Sequence, residues 1–211
     1  MCQGDRGSAI TSGGGFSTYY AIPTFQKTHV STYFTTAAAA GQSPKSGYGT
    51  GRGYPDVSLL GYNYQVRIGG MLYGVSGTSA SAPVMAGIFS NINAARINSG
   101  RSSVGWANPA LYSMNKRYLN DITSGHNLCV ADGTCCSHGF YATTGWDPAT
   151  GLGSVNYGRL LSVWGILGNV TIPPSMRSTF APTTTTVRVN EPVTPPSTTT
   201  EGVINALRGK S

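Results

Sequence analysis

Apolar residues recur at helical spacing in one long stretch near the middle of the chain. They stand three and four positions apart: Val84, Ile88, Phe89 and Ile92. This spacing predicts a helix that follows Pro83 and ends at Gly100. The proline is expected in the first turn of the helix, where its missing N–H costs no hydrogen bond.

Weaker helical patterns occur in three other places. Residues 24–33 are predicted to form a helix, which a stretch of small residues follows, and residues 109–114 a short one. Residues 157–167 show helical spacing through Leu160, Leu161, Val163 and Trp164. These segments place helices before and after the central one.

Alternating residues on both sides of a glycine pair predict a β-hairpin. Residues 62–68 and Met71–Val75 flank Gly69 and Gly70, and two such runs around a two-residue turn are typical of a hairpin. Residues 56–60 are predicted to form a short buried strand just before it. The hairpin leads the chain directly into the central helix.

The remaining stretches are predicted to be loops. Residues 12–17 contain three consecutive glycines and are expected to form a tight turn, and residues 43–53 a loop. Residues 118–153 form a long loop region, which in a compact domain is expected to be functional or held in place. After Gly168 the composition becomes rich in threonine and proline. We therefore expect a domain over residues 1–168 and a disordered tail over residues 169–211.

Composition excludes several classes of protein. The 211 residues include 29 glycines, and only 10% are charged, which fits one loop-rich globular domain. The net charge of +7 comes from scattered basic residues, so we predict no nucleic-acid interface. No apolar run reaches the ~20 residues of a membrane span, and residues 1–6 lack the apolar core of a secretory signal.

Ser79 lies where the hairpin is predicted to enter the central helix. A hydroxyl there lies beside backbone N–H groups that have no helical partner, and these can stabilise an oxyanion. From the spacing alone, a serine that only caps the helix is the simpler interpretation.

Seven residues around this serine, Gly-Thr-Ser-Ala-Ser-Ala-Pro, resemble the nucleophile motif of the sedolisin family, the serine-carboxyl peptidases, which include the tripeptidyl peptidases. Gly-Thr-Ser alone also suits the subtilisins, but further segments resemble sedolisins in order and spacing from about residue 12 to residue 164. These are residues 12–17 and 51–57 before the serine, and 108–112, 121–123 and 145–153 after it.

The resemblance implies an α/β fold: a subtilisin-like parallel sheet with flanking helices, here without its N-terminal strands. It also implies an acid-active serine peptidase that cleaves peptides or unfolded protein, with either endo- or tripeptidyl specificity. Ser79 would form the acyl-enzyme and donate its backbone N–H to the oxyanion. The implied location is the extracellular space or the lysosomal or vacuolar lumen.

The resemblance also implies one structural calcium ion. From the residues alone, Asp121 and Asp147 are better interpreted as ordinary turn aspartates. In sedolisins a Ca²⁺ is held by an Asp, the carbonyl of the next residue, two further carbonyls and a second Asp. By motif these are Asp121, Ile122, Thr143, Gly145 and Asp147, although Thr143 replaces a glycine that is usual in tripeptidyl members.

The carboxyl partners of the family's serine are missing from this sequence. Sedolisins use a Glu as base, an Asp that orients it and a second Asp at the oxyanion hole, all before the segment that matches residues 12–17. The only glutamates here are Glu191 and Glu201, in the tail. We therefore expect the chain alone to be inactive and a missing N-terminal half to be a partner. The alternative is a non-catalytic calcium-binding remnant.

Other groups that could act as the base are interpreted as structural. His29, His126 and His138 lie in no segment that resembles a subtilisin histidine motif, so we expect surface or loop histidines. Asp56 belongs to a structural segment of the family pattern and is expected to be buried and hydrogen-bonded.

The cysteines predict a loop-closing disulfide in an oxidising compartment. Cys129, Cys135 and Cys136 fit no common zinc spacing. Cys129 is expected to pair with either Cys135 or Cys136, and sedolisins often carry a disulfide in this region. Cys2 and one of the two adjacent cysteines would then be left outside this disulfide.

Overall fold

Helices and strands are mixed along the chain in the computed structural model, which describes residues 10–40, 42, 48–113, 118–130 and 133–164. In these ranges the elements are β1 (Gly15–Ala21), α1 (Thr24–Ala39), β2 (Gly51–Tyr54), β3 (Tyr64–Ile68), β4 (Met71–Val75), α2 (Thr78–Asn98), α3 (Asn108–Ser113), β5 (Leu119–Asn120), β6 (Ser154–Val155) and α4 (Tyr157–Val163). The backbone divides into two compact units, Met1–Val170 and Thr171–Ser211, and the described residues all belong to the first. The predicted tail, the domain boundary at residue 168 and Cys2 lie outside the described residues.

The predicted hairpin is confirmed. β3 and β4 pair antiparallel in continuous register from Tyr64 opposite Val75 to Ile68 opposite Met71. The turn glycines Gly69 and Gly70 both have positive φ angles, 57° and 84°, which a residue with a Cβ adopts only with strain.

Two segments that were predicted to be loops contribute strands instead. β1 pairs antiparallel with β2, with Gly15 opposite Tyr54 and Phe16 opposite Gly53. The predictions of a turn over residues 12–17 and of a loop over residues 43–53 were therefore wrong at these positions. Glycine has a low strand propensity, but here it lets the two strands approach other backbone, since a Cβ on Gly51 would lie 1.7 Å from the carbonyl oxygen of Ser17.

The strand that was predicted over residues 56–60 is reduced to an isolated bridge. Ser58 makes a parallel bridge with Ser154, and its N–H donates to the carbonyl of Gly153 at 3.0 Å. Leu60 is exposed, so this segment is not a buried strand. The three ladders in the described ranges are antiparallel, and the parallel sheet that the resemblance implies stays a prediction.

The helices lie where their apolar spacing indicated, with different ends. α1 continues through the small residues to Ala39, six residues past the predicted end, because alanine favours helix. α3 is described to Ser113 and α4 to Val163, and the last residues of the two predicted helices, 114 and 165–167, lie outside the described residues. No helix in the described ranges is long and apolar enough to cross a membrane.

Two apolar clusters form the core. The first packs α1 and β1 against the loop that carries Trp146, and its buried members are Phe16, Val30, Tyr33, Ala37, Tyr112, Phe140 and Trp146. The second joins α2, α3 and α4, and its buried members are Ile92, Leu111, Leu119, Leu160, Leu161 and Trp164. Leu152 packs against both clusters, so the segment after residue 118 links them.

Candidate functional site

Ser79 lies in the first turn of α2, one residue after the helix begins at Thr78. The N-cap residue is Gly77, which provides no side-chain cap. The interpretation that Ser79 only caps the helix is therefore wrong, because capping requires the residue just before the first turn. The side chain of Ser79 is exposed to solvent, at the end of α2 where backbone N–H groups lack intrahelical partners.

The entry to α2 is held by the loop before the hairpin. The N–H of Gly77 donates to the carbonyl of Gly61 at 2.8 Å, and the hydroxyl of Ser81 donates to the carbonyl of Leu60 at 2.7 Å. The N–H of Asn63 donates to the hydroxyl of Ser76 at 3.0 Å. These bonds fix the direction in which the first turn of α2 leaves the hairpin.

Pro83 lies in the second turn of α2 rather than in the first, because the helix begins five residues before it. Proline has no N–H, so it cannot make the i to i−4 bond, and its i−4 residue is Ser79. The carbonyl of Ser79 therefore lacks its usual helical donor. Fewer helical hydrogen bonds therefore hold the backbone of Ser79 than hold a residue inside a regular helix.

A cavity of about 600 Å³ opens beside the start of α2. Thr78 and Ser81 on α2 form one wall, and the segment from Tyr54 to Leu59 forms the other. Its lining is mainly apolar, and its one charged residue among the described ones is Asp56. Ser79 is not among its lining residues, although its chain neighbour Thr78 is. A mainly apolar lining suits an uncharged group of a ligand.

Asp56 is hydrogen-bonded, as expected, but it is only half-buried. Its Oδ2 accepts from Arg52 at 2.6 Å, and its Oδ1 accepts from the hydroxyl of Tyr112 at 2.9 Å. The expectation that it is buried was wrong, because the carboxylate borders the cavity. Both of its oxygens are engaged by neighbours, so Asp56 is poorly suited to take the proton of Ser79.

A buried glutamine connects this carboxylate to the first core cluster. The side-chain amide of Gln26, which is fully buried, donates to Tyr112 at 2.7 Å and to the carbonyl of Gly53 at 2.9 Å, and its oxygen accepts from the Gly53 N–H at 2.8 Å. Burial raises the pKa of Tyr112 well above its ordinary range, and the nearby Asp56 carboxylate acts in the same direction. Tyr112 therefore stays a neutral donor. Sequence reasoning missed Gln26 and Tyr112, because the position of such a residue within a helix does not indicate which distant residue it contacts.

The three histidines lie in different parts of the described fold. The Nε2 of His29 lies 3.0 Å from the backbone carbonyl of Tyr112, and His138 is exposed in a loop. His126 packs edge-on against Tyr141 in the long loop. His29 differs from the expectation of a surface or loop histidine, since it is half-buried on a helix.

Asp147 is fully buried in the long loop, and its carboxylate is surrounded by donors. Oδ1 accepts from the backbone N–H groups of Ala149 at 2.9 Å and Thr150 at 2.7 Å, and Oδ2 accepts from the N–H of Thr143 at 3.1 Å. The Thr150 hydroxyl lies 3.1 and 3.0 Å from the two oxygens. Burial raises the pKa of Asp147 to about 7, although these hydrogen bonds act in the opposite direction.

The other residues that were predicted to bind calcium lie around Asp147. Asp121 Oδ2 accepts from the N–H of Gly145 at 2.8 Å, and the hydroxyl of Thr150 also lies 3.4 Å from the carbonyl of Ile122. The structure thus brings together both aspartates, Thr143, Gly145 and Ile122, from segments that are more than 20 residues apart. Sequence reasoning missed Thr150, whose hydroxyl links the two segments.

This loop site fits a cation with oxygen ligands. Asp121 Oδ1 and Thr143 Oγ1 are buried and have no hydrogen-bond partner among the described residues, and a buried carboxylate oxygen without a partner is costly. Gly145 has a φ angle of 94°, and nothing lies within 4 Å of its ideal Cβ position. Ca²⁺ takes carboxylate and carbonyl oxygens, which is the kind of donor that this site offers. No group of three or more His, Cys, Asp or Glu side chains that could hold a metal ion occurs in the described ranges, so any ion here would depend largely on backbone carbonyl ligands.

The disulfide joins Cys129 to Cys135. Cys136 is a free, exposed cysteine, and its backbone N–H donates to the carbonyl of Leu128 at 3.0 Å. Of the two pairings that the sequence allowed, this one closes the shorter loop, and it lies in the segment that leads to the loop around Asp147.

Comparison with known proteins finds peptidases. Physarolisin of Physarum polycephalum is 41% identical over 158 residues, which are 72% of this chain and 27% of that protein. Human tripeptidyl-peptidase 1 is 42% identical over 154 residues, which are 71% of this chain and 27% of that protein. The chain therefore spans about a quarter of the length of the curated relatives it matches. No protein-family model matches it.

A solved structure also resembles this one. It is a Pseudomonas sedolisin, a serine-carboxyl proteinase, in complex with two molecules of pseudo-iodotyrostatin. The two superpose with a TM-score of 0.55 and 27% sequence identity, over 72% of this chain and 36% of that one. The mixed helices and strands described above are thus arranged as in part of a sedolisin.

Proposed function

This chain belongs to the sedolisin family, and from that premise we propose that it carries the nucleophile and a structural calcium site of a serine-carboxyl peptidase. The observation that supports this most directly is the position of Ser79. It is exposed in the first turn of α2, beside an apolar cavity, in a chain whose relatives are peptidases. The proposed substrates are peptides or unfolded protein, and the proposed location is a secreted or lysosomal compartment, where the Cys129–Cys135 disulfide would persist.

The proposed reaction is acyl transfer through Ser79. Its Oγ attacks the carbonyl carbon of the scissile peptide bond, the C–N bond breaks, and the amine leaves with a proton. Water then hydrolyses the ester and restores the hydroxyl. The N–H groups at the start of α2 would stabilise the negative oxygen that develops during each step, and the cavity that Thr78 and Ser81 line would hold a neighbouring side chain of the peptide.

The proton of Ser79 requires a base, and the described carboxylates are committed elsewhere. Asp56 accepts from Arg52 and Tyr112, while Asp121 and Asp147 belong to the loop site. Loss of a general base alone costs roughly 10²–10⁴ in rate. We therefore propose that Ser79 acts only together with carboxyl groups that lie outside the described residues.

The test compares the chain with a hybrid in which residues 12–164 replace the matching segment of physarolisin. In acidic buffer, we expect the hybrid to cleave a peptide substrate and the chain alone to show no detectable turnover. Ser79→Ala should abolish the turnover of the hybrid, whereas Ser90→Ala, at another exposed serine of α2, should retain it. Turnover that survives Ser79→Ala in the folded hybrid would refute the assignment of the nucleophile.

Calcium is proposed for the loop site on the fit of its residues. Asp121 and Asp147 would provide carboxylate oxygens, and Ile122, Thr143 and Gly145 would provide backbone carbonyls. When bound, the ion would supply charge that neutralises the buried carboxylate of Asp147 and the half-buried one of Asp121, so its role would be in stability rather than in catalysis.

A non-catalytic calcium-binding protein is the second candidate. The observation that favours it is that each carboxylate of the described residues serves the structure. Calcium binding by a folded hybrid that shows no Ser79-dependent turnover would support this candidate over the peptidase.

A further inference from the structure

The two buried threonines of the loop site differ in what their hydroxyl groups contact. The hydroxyl of Thr150 lies 3.1 and 3.0 Å from the two carboxylate oxygens of Asp147. The hydroxyl oxygen of Thr143 is buried as well, but it has no hydrogen-bond partner among the described residues. Burial of a hydroxyl without a partner lowers the stability of a fold. The Thr143 hydroxyl therefore points to a bound ligand rather than to a contact within the described fold.

Thr143 lies beside the aspartates of the proposed ion site. It is 6% exposed, and its backbone N–H donates to Asp147 Oδ2 at 3.1 Å. Asp121 Oδ1 is the other buried oxygen of this site without a partner among the described residues, while Asp121 Oδ2 accepts from the N–H of Gly145 at 2.8 Å. Both unpartnered oxygens thus belong to residues that hydrogen bonds hold to the segment 143–147. Each has lone pairs that can bind a cation.

The five ligands proposed for calcium leave its coordination incomplete. They are three backbone carbonyls and two carboxylates, whereas Ca²⁺ takes 6–8 oxygen ligands. Oδ1 of Asp147 already accepts from the N–H groups of Ala149 at 2.9 Å and Thr150 at 2.7 Å, so this carboxylate is poorly suited to bind the ion through both oxygens. At least one further oxygen is therefore needed, from a side chain or from water.

We propose that the Thr143 hydroxyl oxygen is an additional ligand of the calcium ion, so that this residue binds the ion through both its carbonyl and its side chain. The inference rests on the calcium site of the proposed function. It goes beyond the ligand set that the family resemblance implies, which uses only the carbonyl at this position. The hydroxyl binds as a neutral oxygen and keeps its proton. Calcium affinity should therefore depend on the side chain of residue 143.

Thr150 carries the other buried hydroxyl of the loop site, but its contacts favour a different role. In addition to both carboxylate oxygens of Asp147, it lies 3.4 Å from the carbonyl of Ile122. A hydroxyl has one proton to donate, and the nearer oxygens are those of the carboxylate. Thr150 is therefore a positioning residue, which orients a carboxylate that binds the ion.

Calorimetric titration of Ca²⁺ into the full chain tests the ligand. Thr143→Val replaces the hydroxyl by a methyl group and keeps both the β-branched shape and the backbone carbonyl. We expect it to raise the Kd of Ca²⁺ at least about tenfold, since even residues that only support metal ligands change affinity by about 10–100-fold. Thr143→Ser retains the hydroxyl and should bind like the parent, and Thr144→Val, at the adjacent exposed threonine, should leave the Kd unchanged. An unchanged Kd in Thr143→Val would overturn the proposal.

Thermal unfolding in the presence of a chelator separates a ligand from a structural residue. Thr143→Val removes a buried hydroxyl that has no described partner, so the calcium-free Tm should stay the same or rise. Thr150→Val removes a hydroxyl that contacts Asp147, so its calcium-free Tm should fall. A fall in Thr143→Val equal to that in Thr150→Val would mean that the Thr143 hydroxyl serves the fold, and would contradict the proposal.

Asp121→Asn distinguishes a failure of this inference from a failure of the calcium site. Ca²⁺ binding that is lost in Asp121→Asn but unchanged in Thr143→Val would support the site and refute the hydroxyl ligand. If the parent chain itself binds no Ca²⁺, both the calcium site and the hydroxyl ligand are wrong. Weaker binding in Thr143→Val, with parental affinity in Thr143→Ser and no loss of calcium-free stability, would identify the side chain as a ligand.

Discussion

Replacement of Asp121 by asparagine should remove the response of this protein to calcium. The Oδ2 of Asp121 accepts from the Gly145 N–H at 2.8 Å, while its Oδ1 is buried without a described partner. An asparagine oxygen can keep the bond to Gly145, so the fold of the loop is retained. Its NH₂ group then faces the proposed cation and offers no lone pair in place of a carboxylate oxygen.

The size of the effect follows from linkage. A ligand that binds only the folded state at 100 times its Kd stabilises it by about 2.7 kcal/mol. For a unit of the size of Met1–Val170, a change of 1 kcal/mol in the free energy of unfolding shifts Tm by about 2–4 °C. Ca²⁺ should therefore raise the Tm of the parent chain by about 5–11 °C. In Asp121→Asn and Asp147→Asn this rise should disappear.

Two measurements make the test specific. Thermal unfolding is followed with Ca²⁺ and with a chelator, and Asp56→Asn serves as the control. That variant also loses a partly buried carboxylate, one that contacts Arg52 and Tyr112, so its baseline Tm should fall while its calcium response remains. The second measurement is the sensitised luminescence of Tb³⁺, a calcium substitute, because Trp146 is buried between Gly145 and Asp147.

Terbium emission should rise on binding to the parent chain, fall when Ca²⁺ is added and be absent in Asp121→Asn. Trp106→Phe, at an exposed tryptophan, should leave the emission unchanged. The same rise in Tm with Ca²⁺ in the parent and in both aspartate variants would refute the assignment of these residues as ligands.

Three further changes test the fold. Gly14→Ala should destabilise the protein by about 3 kcal/mol or more, because a Cβ there would lie 1.6 Å from the carbonyl oxygen of Pro148. Gly13→Ala, where nothing lies within 4 Å of the added Cβ, should lower the free energy of unfolding much less. Denaturant unfolding of the two variants measures this difference. Tyr112→Phe should lower the free energy of unfolding by about 2 kcal/mol, since its buried amide partner loses an acceptor, and a change near zero would argue against the hydrogen bond. Alkylation followed by peptide mass spectrometry should label Cys136 and leave Cys129 blocked, whereas a labelled Cys135 would mean that the pairing is different.

The elements with a strong local period could be predicted from the sequence, and those without one could not. The apolar spacing after Pro83 and the alternation around Gly69 and Gly70 indicated α2 and the hairpin. β2 contains two glycines in four residues, so its propensity argued for a loop. It forms a strand because Gly53 packs directly under the ring of Trp146, where a Cβ would lie 2.5 Å from the ring. Such tertiary contact overrides local preference.

The candidate sites likewise contain residues that a motif in the sequence indicated and residues that it did not. Ser79, Asp121 and Asp147 were selected by the resemblance of short motifs to a family, and their roles stay predictions. The neighbours that support them are different, since the bonds of Gln26 and Thr150 reach across 27 and 28 residues of sequence. Such contacts depend on the packing of distant segments, which no local pattern encodes.

The distribution of carboxylates explains why the two sites differ in what they need. At the loop site the chain supplies two acidic side chains, the fully buried Asp147 and the half-buried Asp121, so in our proposal a single cation completes it. At Ser79 the chain supplies a hydroxyl and a helix N-terminus beside an apolar cavity, but the carboxylate that borders this cavity in the described ranges, Asp56, is held by Arg52 and Tyr112. A serine needs a base to act as a nucleophile, and our proposal places that base outside the described residues. We therefore expect Ser79-dependent turnover in the hybrid, where carboxyl groups from physarolisin are present, and none from the chain alone.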